Sequence, residues 1–78
     1  MNFSMDRYYI VTLDTSDPSP IFGRIDDEDT DKDIFLVAVF NLPRDYQYHR
    51  LFTADDLKGF AIFKGREEAI EWVQENYP

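Results

Sequence analysis

The chain has 78 residues, no cysteine and 44% hydrophobic side chains, and its sixteen acidic residues against eight basic give a net charge of −8. That length holds one domain, the lack of cysteine excludes a disulfide-stapled scaffold and a thiolate metal site, and the acidic balance opposes direct binding to nucleic acid or to an anionic membrane. Seven Phe, five Tyr and one Trp make 17% of the chain aromatic, which supplies the bulky side chains a small core needs and argues against disorder.

The first stretch, MNFSMDRYYI, has no basic region followed by a long apolar segment. The longest apolar run, Ile34 to Phe40, is seven residues, against the roughly 20 needed to span a bilayer as a helix. A soluble chain in a reducing, cytoplasmic setting is expected. RYYIVTL is β-branched and aromatic, and the DTSDPSP after it is dense in turn formers, so a strand at about 7–13 and a turn are predicted. IFGRI reads as a short strand in which Gly23 marks a bulge or a close approach of backbones.

RIDDEDTDKDIF follows, with six carboxylates between Asp26 and Asp33. It reads as a polar connection into DIFLVAVF, which is apolar at successive positions and is expected to be central in a sheet. NLPRD supplies a turn, with Pro43 pre-set for its corner, and YQYHRLF returns as a hairpin partner. In simple alternation Tyr46, Tyr48 and Arg50 share one face, and Gln47, His49 and Leu51 the other.

TADDLKG has the grammar of a short helix near 54–58: Thr53 caps, Asp56 sits at the capping-box position and Gly59 is suited to a left-handed C-terminus. GFAIF is long enough for a short strand. GREEAIEWVQENY then predicts a helix over about 66–77, with Glu67 and Glu68 at its positive end, Ala69, Ile70, Val73 and Tyr77 on one face, and Trp72 sealing the sheet. The expected fold is a single α+β domain over residues 1–78, with a mainly antiparallel sheet of four to five strands and one C-terminal helix packed on it. No internal repeat or low-complexity segment interrupts it.

The acidic stretch invites a calcium-loop reading, because Asp27, Asp29, Asp31 and Asp33 alternate as in the first half of an EF-hand. Counting from Asp27, the sixth position is Lys32 where the turn needs Gly, and the twelfth is Ala38 where a bidentate Glu should close the cage. No metal or other cofactor is expected. A second reading is a surface imitating a nucleic-acid backbone. In extended chain these aspartates would stand roughly 6.6 Å apart, about half the charge density of one DNA strand. Mimicry therefore needs a second row, which Asp14, Asp17, Glu28 and Asp45 would supply if their loops gather at the same end. The plain alternative is a solvated connection whose charges discourage edge-to-edge pairing.

Catalytic signals are sparse. His49 is the only histidine, and alternation gives it neither an orienting carboxylate nor a nucleophile. Asp55-Asp56 and Glu67-Glu68 are adjacent pairs explained by helix ends, and Gly23, Gly59 and Gly65 are too scattered for a phosphate loop. An enzyme is not expected.

The charge is local. Residues 14 to 33 hold eight acids (Asp14, Asp17, Asp26, Asp27, Glu28, Asp29, Asp31, Asp33) and two bases (Arg24, Lys32), a net of −6. The leading expectation is a small acidic protein-binding module whose acidic surface steers it to a protein with a basic surface. Inhibitors or antagonists of nucleic-acid-handling proteins (antitoxins, immunity proteins, anti-CRISPR or anti-restriction proteins) share this gross character, an analogy of composition alone. The alternative is a structural or accessory domain, including a homodimer, that uses a strand edge or the face of Tyr46, Tyr48 and Arg50, with the charge serving solubility.

Overall fold

The structure, a computed structural model, describes residues 7–41 and 45–77. Five strands follow in chain order: β1 (Tyr9–Thr12), β2 (Phe22–Asp29), β3 (Ile34–Asn41), β4 (Asp45–Thr53) and β5 (Phe60–Phe63). A single 3₁₀ turn, Asp56–Gly59, joins β4 to β5, and helix α1, Arg66–Asn76, closes the chain. The sheet has the order β4-β3-β2-β1-β5, and every neighbouring pair is antiparallel. This is the expected α+β domain. β3 is interior as its apolar sequence requires, although β2 occupies the middle. The turn expected from Leu42, Pro43 and Arg44 lies outside the described residues.

The sheet curls. β4 and β5 are opposite edges, yet Phe52 of β4 and Phe60 of β5 meet edge to face with ring centroids 5.5 Å apart. The short connection between them draws these ends together, and Leu57 of the 3₁₀ turn is buried in the same apolar cluster as Ile10, Ile25, Val37, Val39 and Phe52. The inner face thereby becomes a core without a helix over it, which is how a chain this short removes Ile10, Ile25 and Val37 from water completely. Gly23 permits the curl: a β-carbon there would stand 2.6 Å from Val37 Cγ1. The close backbone approach expected at this position is present, while the bulge in β2 falls two to four residues later, between Ile25 and Asp27.

The outer face carries α1. Ala69 is buried against Val11 and Phe22, with Ile70, Trp72, Val73 and Tyr77 packed around them, the stripe predicted from helical spacing. The Tyr77 hydroxyl donates to the Thr12 carbonyl and ties the end of α1 to β1. Thr53 and Asp56 form a reciprocal capping box: the Asp56 amide donates to Thr53 Oγ1 at 3.1 Å, and the Thr53 amide to Asp56 Oδ2 at 2.9 Å. Gly59 departs from expectation. No glycine takes a positive φ, because the turn runs directly into the extended Phe60 instead of closing as an α-helix.

Candidate binding surface on the outer face of β2, β3 and β4

α1 lies over β1 and β5. The outer face of β3 and β4 is therefore built from sheet side chains alone among the described residues, and it is here that the charged stretch stands. β2 continues through Asp29, so Asp26, Asp27, Glu28 and Asp29 are strand residues and only 30–33 form the turn. This corrects the reading of the whole stretch as a connection. The apolar Ile34–Leu36 segment offers β2 a hydrogen-bonded partner for that length, which outweighs the low strand propensity of aspartate.

The row of four aspartates does not form. Asp27 pairs with Leu36 and Asp29 with Ile34, on the outer face, while Glu28 pairs with Phe35 and points the other way. Asp31 and Asp33 lie in the turn, where Asp33 adopts a left-handed φ of 54°. Asp29 Oδ1 accepts the Asp31 and Lys32 amides at 3.1 and 3.3 Å, and Asp27 Oδ1 accepts the Glu28 amide at 2.9 Å.

Asp14 and Asp17 do not join this group. They follow the end of β1 that pairs with Phe22, and Asp45 pairs with Asn41 at the same end, whereas Asp29, Ile34 and Thr53 align at the opposite end. Asp14 instead accepts the Ser16 hydroxyl at 2.6 Å and the Ser16 amide at 3.0 Å, which together hold its carboxyl below the ordinary value, and Asp17 accepts the Ser19 amide. The residue that meets the acidic turn is Ala54, whose amide donates to the Asp33 carbonyl at 3.0 Å.

Two bulges rearrange the faces. In β4, Val39 pairs with Tyr48 but Phe40 with Tyr46, so Gln47 is the extra residue. Tyr46 therefore shares the outer face with His49, while Tyr48 and Arg50 stand opposite Val39 and Val37 at the rim of the inner face, with the Arg50 guanidinium 4.9 Å over the Phe52 ring. The single Tyr46, Tyr48, Arg50 face expected from alternation is split.

On β2, the extra Asp26 turns its carboxylate to the outer face. Arg24 donates Nε to Asp26 Oδ1 at 2.6 Å and Nη2 to Oδ2 at 3.2 Å, and His49 Nε2 lies 3.0 Å from the same Oδ2. With Nε2–H donated to Asp26, His49 Nδ1 accepts the Tyr46 hydroxyl at 2.8 Å. The chain Arg24, Asp26, His49, Tyr46 crosses from β2 to β4 over Ala38, whose small, fully buried side chain leaves the row open. The Arg24 hydrogen bonds are the main reason that the Asp26 carboxyl is held below its ordinary value. Partial burial opposes them and His49 adds to the lowering. The Arg24 guanidinium is raised in turn, chiefly by the same bond to Asp26.

His49 thus has both an orienting carboxylate and a hydroxyl in reach, which alternation did not show. Their setting is an open sheet face: the His49 side chain is 40% exposed and Tyr46 is 55% exposed. Such a relay fixes side chains in water more than it isolates a reacting atom. Beyond it, toward the turn, Leu36 and the 62% exposed Leu51 form the floor of an open groove of about 320 Å³, with Ile34 at its end and Asp27, Glu28, Asp29 and Lys32 around it. Among the described residues, no group of three or more His, Asp or Glu side chains is arranged to hold a metal ion, and no helix is long and apolar enough to cross a membrane. No protein-family model matches the chain, and comparison with curated proteins and with solved structures returns no match.

Proposed function

We propose that this chain is a protein-binding module, not an enzyme, and that it engages a partner with a basic surface through the outer face of β2, β3 and β4. The observation that carries the reading is the conjunction of exposed Leu51 and Tyr46 with the strand-borne carboxylates Asp27 and Asp29, on the part of the outer face away from α1. Large exposed apolar and aromatic groups beside charge are the composition of an interface center and its rim. The net charge of −8 adds long-range attraction to a basic partner, of the kind that nucleic-acid-handling proteins present. Inhibition or antagonism of such a partner, in the cytoplasm, is the activity this composition supports. The Arg24–Asp26–His49–Tyr46 chain serves by holding Tyr46 in place.

The test is retention of partners from lysate by the full chain at low and high salt, compared among three forms: native, Asp27→Asn with Asp29→Asn, and Asp14→Asn with Asp17→Asn. The reading requires a basic partner whose retention falls with salt and with the first pair of changes but not the second. Equal loss from both pairs, or none from either, would remove this face from the mechanism.

A second reading has its own observation. β4 is a nine-residue edge strand, exposed from Asp45 through Leu51, and such an edge can add a strand from another copy of the chain. Sedimentation decides it: a dimer that survives high salt and dissociates on Tyr48→Ala favors the edge, and a monomer at all concentrations removes it.

A further inference from the structure

The groove beside Leu51 has a shape and charge that select one kind of side chain. We infer that it binds a single arginine of the partner, whose aliphatic stem lies on Leu36 and Leu51 and whose guanidinium bridges Asp27 and Asp29. This rests on the protein-binding reading above and gives it a chemical specificity.

Three observations converge on arginine. The floor is apolar, with Leu36 and Leu51 directly paired across β3 and β4 and Ile34 beside them. A bare ammonium or a small inorganic cation gains nothing from such a floor, whereas the three methylenes of arginine cover it. The rim is anionic, and its two carboxylates are two residues apart on one strand face, hence separated by roughly 6.6 Å at about 3.3 Å per residue. A planar guanidinium with five N–H donors can reach two acceptors so spaced, while an ammonium is a point charge that satisfies one. Both carboxylates are already oriented, since Oδ1 of each accepts a backbone amide, which leaves Oδ2 for an incoming donor. Among the described residues, Lys32 is the one cation lining the groove. It opposes a cationic guest, so its removal should strengthen binding.

The experiment is a titration of the ¹⁵N-labelled full chain with blocked single amino acids, N-acetyl-arginine methylamide first, then the lysine and citrulline equivalents. Citrulline keeps the length and shape of arginine and loses the charge. The arginine amide should shift the resonances of residues 27, 29, 36 and 51 in a saturable way, with affinity about five- to tenfold above that of citrulline, the scale of a partly exposed charge-assisted pair. Lysine should fall between them. Leu51→Ser, an exposed change that keeps the net charge, should weaken arginine binding about threefold or more by removing the floor. Lys32→Ala should tighten it, and Asp31→Asn with Asp33→Asn should leave it unchanged.

Equal shifts for arginine and citrulline, or shifts spread equally over Asp14, Asp17 and the turn, would overturn the inference. So would indifference to Leu51→Ser. If that indifference accompanied partner retention that still depended on Asp27 and Asp29, the groove assignment would fall while the acidic binding module stood. Arginine selectivity without any salt-dependent partner would support the groove and count against the module.

Discussion

At Gly23 the packing leaves no room for a side chain. A β-carbon would meet Val37 Cγ1 at 2.6 Å and the Ala38 carbonyl oxygen at 3.2 Å, both on interior β3. Gly23→Ala should cost about 1–3 kcal/mol, as overpacking a close-packed core does, and lower the urea midpoint with little change in slope. Asp26 makes a prediction of the opposite kind, set by pH. Its carboxyl is more acidic folded than unfolded, because Arg24 donates to the charged form. The stability this confers is complete above the ordinary carboxylate value of 3.8 and is lost as pH falls through the lower folded value. Asp26→Asn should therefore destabilize the chain at neutral pH, and the difference from the native protein should shrink on acidification below about pH 4, where the unfolded carboxyl protonates before the folded one. Thermal melts across pH 2 to 7 measure both limbs. The role of Gly23 was legible because glycine in a strand has few reasons to be there. That of Asp26 was not, since its approach to His49 depends on how β2 and β4 register on either side of β3.

Among the elements, periodicity served best where one partner decided the pattern. The stripe of α1 packs as spaced, because a helix on a sheet buries one face and little else constrains it. The Thr53–Asp56 capping box was equally local and equally legible. Thr53→Ala should lose about 1 kcal/mol, and it should also loosen the approach of Phe52 to Phe60, because the 3₁₀ turn carries the chain between them. The near-ultraviolet aromatic circular dichroism and a urea titration report the two effects. The strand faces were less legible. Alternation assumes an unbroken period of two, and one extra residue in each of β2 and β4 reverses it: Tyr46 parts from Tyr48 and Arg50, and Asp27 and Asp29 join Arg24 and Asp26 on the outer face. The acidic length of β2 was obscured for another reason, that its strand conformation is imposed by β3 against its own propensity.

For the whole molecule, curling of the sheet divides the labor between two faces. The inner face closes on itself and supplies the core, so α1 covers β1, β5 and the Phe22 end of β2, and the outer face of β3 and β4 stays available. Which charges share that face is a matter of strand direction. Asp14, Asp17 and Asp45 belong to one end of the sheet and the acidic turn to the other, a separation no count of charges along the sequence could give. A partner bound by this face should touch the strip from Tyr46 to Asp29 and spare the Asp14 loop that follows β1. Four of the five leucines supply internal reporters, because Leu36 and Leu51 floor the groove, Leu57 is buried in the core, and Leu13 is exposed where β1 runs into the Asp14 loop. Methyl spectra of leucine-labelled full chain, recorded as the captured basic partner is added, test the binding face most directly. The Leu36 and Leu51 methyls should broaden or shift while those of Leu13 and Leu57 hold their positions; perturbation of Leu13 with Leu36 and Leu51 unmoved would exclude binding through this face.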